Sequence, residues 1–291
     1  MSVADLSVAA RPANRRRGPG FWRFYRSELR LMLSRRRNEF GLLVLVAVPI
    51  LITLAVRYSH PGHGDGGGGP DFVSQIAGNG IFVPLAALTL ELTMFLPLAI
   101  AIVSGDAIAG EAHGGTLRYL LTVPAGRTRL IVVKLAALMT GALVATLSVA
   151  LVGLVSGLIV FGGGPVLTLS GISISFADGL WRLLIAALYV SAGLMALAAV
   201  GLFVSTLTEQ PIAVTVVMML ATMSMWILDQ LPQLDWLHPW LLVDRWTGFT
   251  DLLRQPPAWS TMQMGLLVDA AYFAVFALLA WARFSNADIT S

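Results

Sequence analysis

Glu91 and Asp269 are carboxylates set inside long apolar runs of this 291-residue chain. In a membrane a charge at such a position costs at least about 2.5 kcal/mol on insertion scales, so each is expected to face a polar cavity or a helix interface and not lipid. Two chemistries fit: contact with a polar or cationic cargo, or a hydrogen bond across helices made for structure alone. Both lie nine or ten residues in from the end of their runs, roughly 14 Å deep at 1.5 Å of rise per residue. Thr89 and Thr93 are the nearest hydroxyls to Glu91, and no cation neighbours Asp269 in the sequence.

A second concentration of chemistry is the polar island from Glu111 to Lys134, EAHGGTLRYLLTVPAGRTRLIVVK, between two apolar runs. Gly114 and Gly115 break a helix arriving from the N-terminal side. Thr116 can cap a short helix over Leu117 to Thr122, and Pro124 with Gly126 ends it. Arg118, Arg127, Arg129 and Lys134 put four cations in this short connection. Short basic loops stay on the cytoplasmic side, so the small helix is expected to face the cytoplasm.

Other chemistries are excluded or weak. The chain has no cysteine, which removes disulfides, thiolate catalysis and cysteine-ligated metals. His60, His63 and Asp65 have a spacing that could hold a metal, but the glycine-rich stretch around them would bind it weakly, and no metal site is assigned. A Walker A loop needs Lys before Ser or Thr. The single lysine, Lys134, stands in VVKLA, so this chain is not a P-loop ATPase of that type.

The elements that must position these residues follow from composition. Hydrophobic residues make up 57% and charged residues 12%, with mean hydropathy +0.79. A soluble domain carries about 25% charged residues, so the expectation is an integral membrane protein. A net charge of +3 could point to nucleic acid, but the basic residues lie in a leader and beside apolar spans, which points to anionic lipid and against nucleic acid.

The fold class expected is an all-α membrane protein with six transmembrane helices, at about 39–57, 81–105, 128–161, 178–207, 212–228 and 260–282, within a six-span domain of 39–291. Residues 1–20 read as a disordered basic leader without a cleavable signal. Residues 21–38 read as an amphipathic, Arg-rich interfacial helix with Phe21, Tyr25, Leu29, Met32 and Leu33 on one face. Pro84 and Pro97 are expected kinks in the second span, and 166–177 alternates like a short strand or extended loop. Between the fifth and sixth spans, prolines and tryptophans mark an outer interfacial or re-entrant helix over Trp240 to Arg254. With both ends inside, the cytoplasmic side holds ten basic residues in the leader and first helix, four in the polar island, and Arg283, leaving Arg57, Arg182, Arg245 and Arg254 outside.

The polar island resembles the signature of ABC-2 type permeases, the membrane subunits of ATP-driven exporters. The residues that carry the resemblance are Glu111, Gly115, Thr116, Leu117, Leu120, Leu121, Pro124 and Arg127, and the layout of the spans follows it more weakly. The resemblance implies a cytoplasmic coupling helix between spans two and three that docks on an ATPase. It also implies two separate ATPase subunits that bind the ATP and Mg, a second permease copy or sister permease completing the path, and a place in the plasma membrane among lipids. The chain itself would be no enzyme and would need no cofactor. A stand-alone secondary transporter using Glu91 or Asp269 for proton coupling, and a non-transporting scaffold or sensor, stay open. The substrate is not readable from the residues.

Overall fold

A computed structural model describes residues 20–58, 78–115, 126–168 and 170–286. Over these residues the chain is an all-α membrane protein. The helices are α1 (Phe21–Leu33), α2 (Arg36–Tyr58), α3 (Phe82–Thr93), α4 (Phe95–Ala107), α5 (Ala109–His113), α6 (Arg127–Phe161), α7 (Phe176–Ser205), α8 (Pro211–Asp229) and α9 (Trp259–Asn286). Five of them are long and apolar enough to cross a membrane, and α3 with α4 forms a sixth candidate span, bent by 56°.

That bend lies at Met94, between the two prolines and not at either of them. Pro97 has no N–H to return to the carbonyl of Thr93 four residues earlier, so its effect appears one turn upstream. Pro84 sits in the first turn of α3, where an N–H would have no helical partner.

α7 is the central helix. It packs against α4, α6 and α9, and α6 in turn carries α1, α2 and α3. The close contacts along the second half of α7 need small residues, and the helix is rich in alanine and glycine, with Gly193, Ala198 and Gly201 among its buried positions. The tightest crossing joins the entry to α3 with α6. Gly80 and Gly157 meet backbone to backbone, so that a methyl group on either would collide with the other. Gly80 N–H donates to the Gly162 carbonyl at 3.1 Å. Asn79 holds the same corner, donating to the Gly164 carbonyl at 3.0 Å and accepting from Ile81 N–H at 3.1 Å.

The alternating segment after α6 forms a two-stranded antiparallel hairpin, Val166–Leu167 with Ser173–Ile174, in the register Val166↔Ile174. Between α8 and α9 the structure holds three 3-10 segments, Pro232–Leu234, His238–Trp240 and Trp246–Leu253, the last within the Trp240 to Arg254 stretch expected to be an interfacial or re-entrant helix. With three residues per turn, Trp246, Phe249 and Leu252 share one face, and all three are buried against α7 and α9. Arg182 of α7 fastens the end of this segment by donating to the carbonyls of Leu252 at 2.5 Å and Arg254 at 3.0 Å. Trp236 and Trp240 stay exposed, as membrane-interface residues do. The expected disordered leader, the His60–Asp65 stretch and the expected coupling helix lie outside the described residues.

Gly157→Val should lower the thermal midpoint of the purified protein, at a cost of about 1–3 kcal/mol from overpacking. Gly41→Ala, where an added methyl meets nothing within 4 Å, should leave that midpoint unchanged in the same assay.

Candidate functional site

The polar island has its two described ends bound to each other. α6 has 35 residues and so is about 52 Å long, well over the roughly 30 Å hydrocarbon core. Its first turns lie next to α1 and the short α5. In the third turn Lys134 is 3% exposed, and its Nζ donates to Glu28 Oε1 of α1 at 2.9 Å and to Glu111 Oε1 of α5 at 2.5 Å. One buried ammonium thus joins three helices. Burial, helped by the neighbouring Glu28 carboxylate, raises the Glu111 carboxyl, and the Lys134 ammonium, its hydrogen bond and Arg35 offset this only in part.

The surrounding contacts reinforce that junction. Tyr25 Oη and Thr140 Oγ1 share a hydrogen bond of 2.6 Å between α1 and α6. Asn38 Nδ2 donates to the Met32 carbonyl at 2.8 Å, closing the elbow from α1 to α2. Arg35, at 2.7 Å, and Arg37 both bind the Asp106 carboxylate at the end of α4. Asp106, Glu111, Lys134, Glu28 and Arg35 line a small open cleft at the meeting point of these elements. Ser205, fully buried at the end of α7, accepts from the amides of Ile108 and Ala109 at 3.1 and 2.9 Å. The start of α5 is thereby tied to the central helix.

Of the residues singled out from the sequence, Glu111 enters this junction. Gly115 follows α5 with φ +66°, a left-handed turn that glycine adopts without strain. Arg127 opens α6 and donates to the Ser285 carbonyl of α9 at 2.8 Å. Thr116, Leu117, Leu120, Leu121 and Pro124 lie outside the described residues. Sequence reasoning passed over Glu28 as a partner for Lys134. The signal was present: Glu28 falls one turn from both Tyr25 and Met32, on the protein-facing side of an Arg-rich helix, where an acid needs a cation.

The intramembrane carboxylates occupy two separate settings. Glu91 is fully buried in the last turn of α3, three residues before the break at Met94, and neither oxygen has a hydrogen-bond partner among the described residues. Asp269, on α9, is 6% exposed. The fold brings it what the sequence did not, lining a narrow pocket with Tyr189 of α7 and with Arg245 and Trp246 of the connection before α9. Tyr189 Oη donates to the Arg245 carbonyl at 2.6 Å. Gly193 leaves the room this needs, since a methyl there would lie 2.7 Å from Trp246 Nε1 and 3.6 Å from Asp269 Oδ2.

Fold and site together define a multi-pass all-α membrane protein with a charged junction at one end of its helices. Residues 69–290 match the model of a family described as "Protein of unknown function (DUF2705)", and the chain belongs to that family. A stretch of 60 residues is 40% identical to the "Probable ABC transporter permease protein NosY" of Pseudomonas aeruginosa, covering 21% of this chain and 22% of that protein. The match therefore spans about a fifth of that relative's length.

Removing one partner of a buried ion pair strands the other, at about 3–5 kcal/mol. Lys134→Met should therefore be strongly destabilising by thermal unfolding in detergent. Glu28→Gln and Glu111→Gln, added to it, should recover much of the loss, because no buried charge is then left alone. Recovery absent in the triple variant would mean that the lysine acts by its packing and not by its charge.

Proposed function

We propose that this chain is the membrane subunit of an ATP-binding cassette exporter, forming half of a translocation path and coupling to a separate ATPase through Glu111 to Arg127. The observation that carries the reading is the polar connection between α5 and α6. It bears the ordered Glu111, Gly115-Thr116-Leu117, Leu120-Leu121, Pro124 and Arg127 pattern, and its two ends are closed on one another by the Lys134–Glu111 pair. A push on a connection closed in this way would move α1, α5 and α6 together. The partial likeness to a protein named as a probable ABC transporter permease supports the same reading.

In this proposal two ATPase subunits bind ATP and Mg, and a second copy or a sister permease completes the path. Both termini lie in the cytoplasm, and the protein resides in the plasma membrane. Glu91 and Asp269 contact polar or cationic parts of the cargo. Both are enclosed by the chain in the present conformation, so contact with cargo requires the helices to move. The lone buried carboxylate of Glu91 beside a broken helix also favours a second reading, a secondary transporter that couples to protons.

Purification of the tagged chain with the products of its neighbouring genes separates the two. The first reading expects a Walker-type ATPase to co-purify, and expects Glu111→Ala, or Leu120→Asp with Leu121→Asp, to lower cargo-stimulated ATP hydrolysis while the protein still reaches the membrane. Unchanged stimulation in both variants contradicts it. Glu91→Gln and Asp269→Asn should reduce export of a cationic cargo at equal expression, and normal export by both removes them from the path. Because the chain lacks cysteine, single cysteines report orientation: positions 67 and 250 should react with an impermeant thiol reagent from outside, and positions 115 and 210 should not.

A further inference from the structure

α1 bears surfaces that its packing on α6 leaves uncovered. With about 100° between successive residues of a helix, Tyr25, Glu28 and Met32 turn toward α6, and Arg23, Arg26 and Arg30 fall on the opposite side. All three arginines are exposed, and among the described residues none is in an ion pair. On the flank between these faces stand Trp22 and Leu33, exposed by 72% and 50%. Beneath Leu33 a largely apolar cleft, open to its surroundings, lies between α2, α4 and α6, with Leu42, Ala99 and Val144 in its walls and Arg37, Asn38 and Glu39 at its polar end. Asn38 Oδ1 is buried there without a hydrogen-bond partner among the described residues.

We propose that this elbow is a binding site for an anionic phospholipid, with one acyl chain in the cleft under Leu33 and the phosphate against Arg26 and Arg30. α2, α4 and α6 belong to candidate membrane spans, so the cleft between them opens among acyl chains. Leu33 is one turn from Arg30, which places the start of the cleft beside the arginines at the level where headgroups begin. Arg23 extends the positive field along the membrane surface, and Trp22 supplies the amphipathic ring that anchors at that depth. An acidic protein surface would satisfy the arginines but would leave the apolar cleft unfilled, and for that reason lipid is the occupant. The inference needs only that the chain spans a membrane and is independent of the transport proposal.

The test uses the full-length protein in mixed micelles of phosphatidylcholine and phosphatidylglycerol, with retained lipids counted by native mass spectrometry. Phosphatidylglycerol should be retained in preference, and more weakly as salt screens the arginines. At the free energy expected for each basic residue near an anionic surface, Arg23→Ala, Arg26→Ala and Arg30→Ala together should reduce that retention by roughly 100-fold. The same three positions changed to Lys should keep most of it, which guards against loss of fold. Ala99→Leu, which narrows the cleft, should lower retention of both lipids with the arginines intact. Equal retention of the two lipids by the unmodified protein overturns the proposal. So does a triple Ala variant that keeps its phosphatidylglycerol preference, including one that instead loses an acidic protein partner.

Discussion

Lys134 carries its ammonium into the interior of the protein, and two carboxylates from separate helices converge on it. A lysine 3% exposed would lose several kcal/mol to desolvation if nothing compensated it, and the two hydrogen-bonded acids provide that compensation. Two acids on one base leave an excess negative charge. Beside them Arg35 and Arg37 both pair with Asp106, adding two cations and one more anion, so three acids face three bases. The elements that contribute them, α1, the elbow into α2, the end of α4, α5 and the start of α6, cannot separate without stranding a charge. This constraint gives α1 a fixed seat on α6 that its arginine-rich composition would not provide alone.

Two features above the junction extend its reach. Ser205 binds the first amides of α5 to the end of α7, the most buried of the five long apolar helices, so the junction is joined to the core as well as to the surface. The break at Met94 divides the span that leads down to Asp106 into two rigid pieces, with Glu91 beside the break. Under the proposed function, displacement of the connection after α5 would reach α1 and α6 as one body and bend the α3–α4 span where it is already discontinuous.

Much of the architecture was legible because a membrane forces it to be. Apolar runs near 20 residues, the proline and glycine breaks, and the Arg-rich face of α1 follow from composition and periodicity. Local rules failed where tertiary contact decides. Pro97 announces a kink, but the carbonyl it frees is that of Thr93, so the break appears three residues earlier, at Met94. Trp240 to Arg254 reads as a helix at the interface, yet burial of Trp246, Phe249 and Leu252 against α7 and α9 favours a three-residue repeat. Asp269 looks isolated along the chain because Arg245, Trp246 and Tyr189 come from distant segments. The site was half visible: Glu111 stood out by its motif, whereas Glu28 and Lys134, 106 residues apart, meet only in the fold.

The central claim is that the shared lysine holds α1 to the spans. Hydrogen exchange of the protein in lipid nanodiscs measures this directly, because local opening exposes the amides of a detached element before the core unfolds. Phe21 to Leu33 should be protected in the unmodified protein. In Lys134→Met they should exchange much faster while Phe176 to Ser205 stay protected. Equal protection of α1 in the two proteins, or an α1 that exchanges freely in both, would contradict the account.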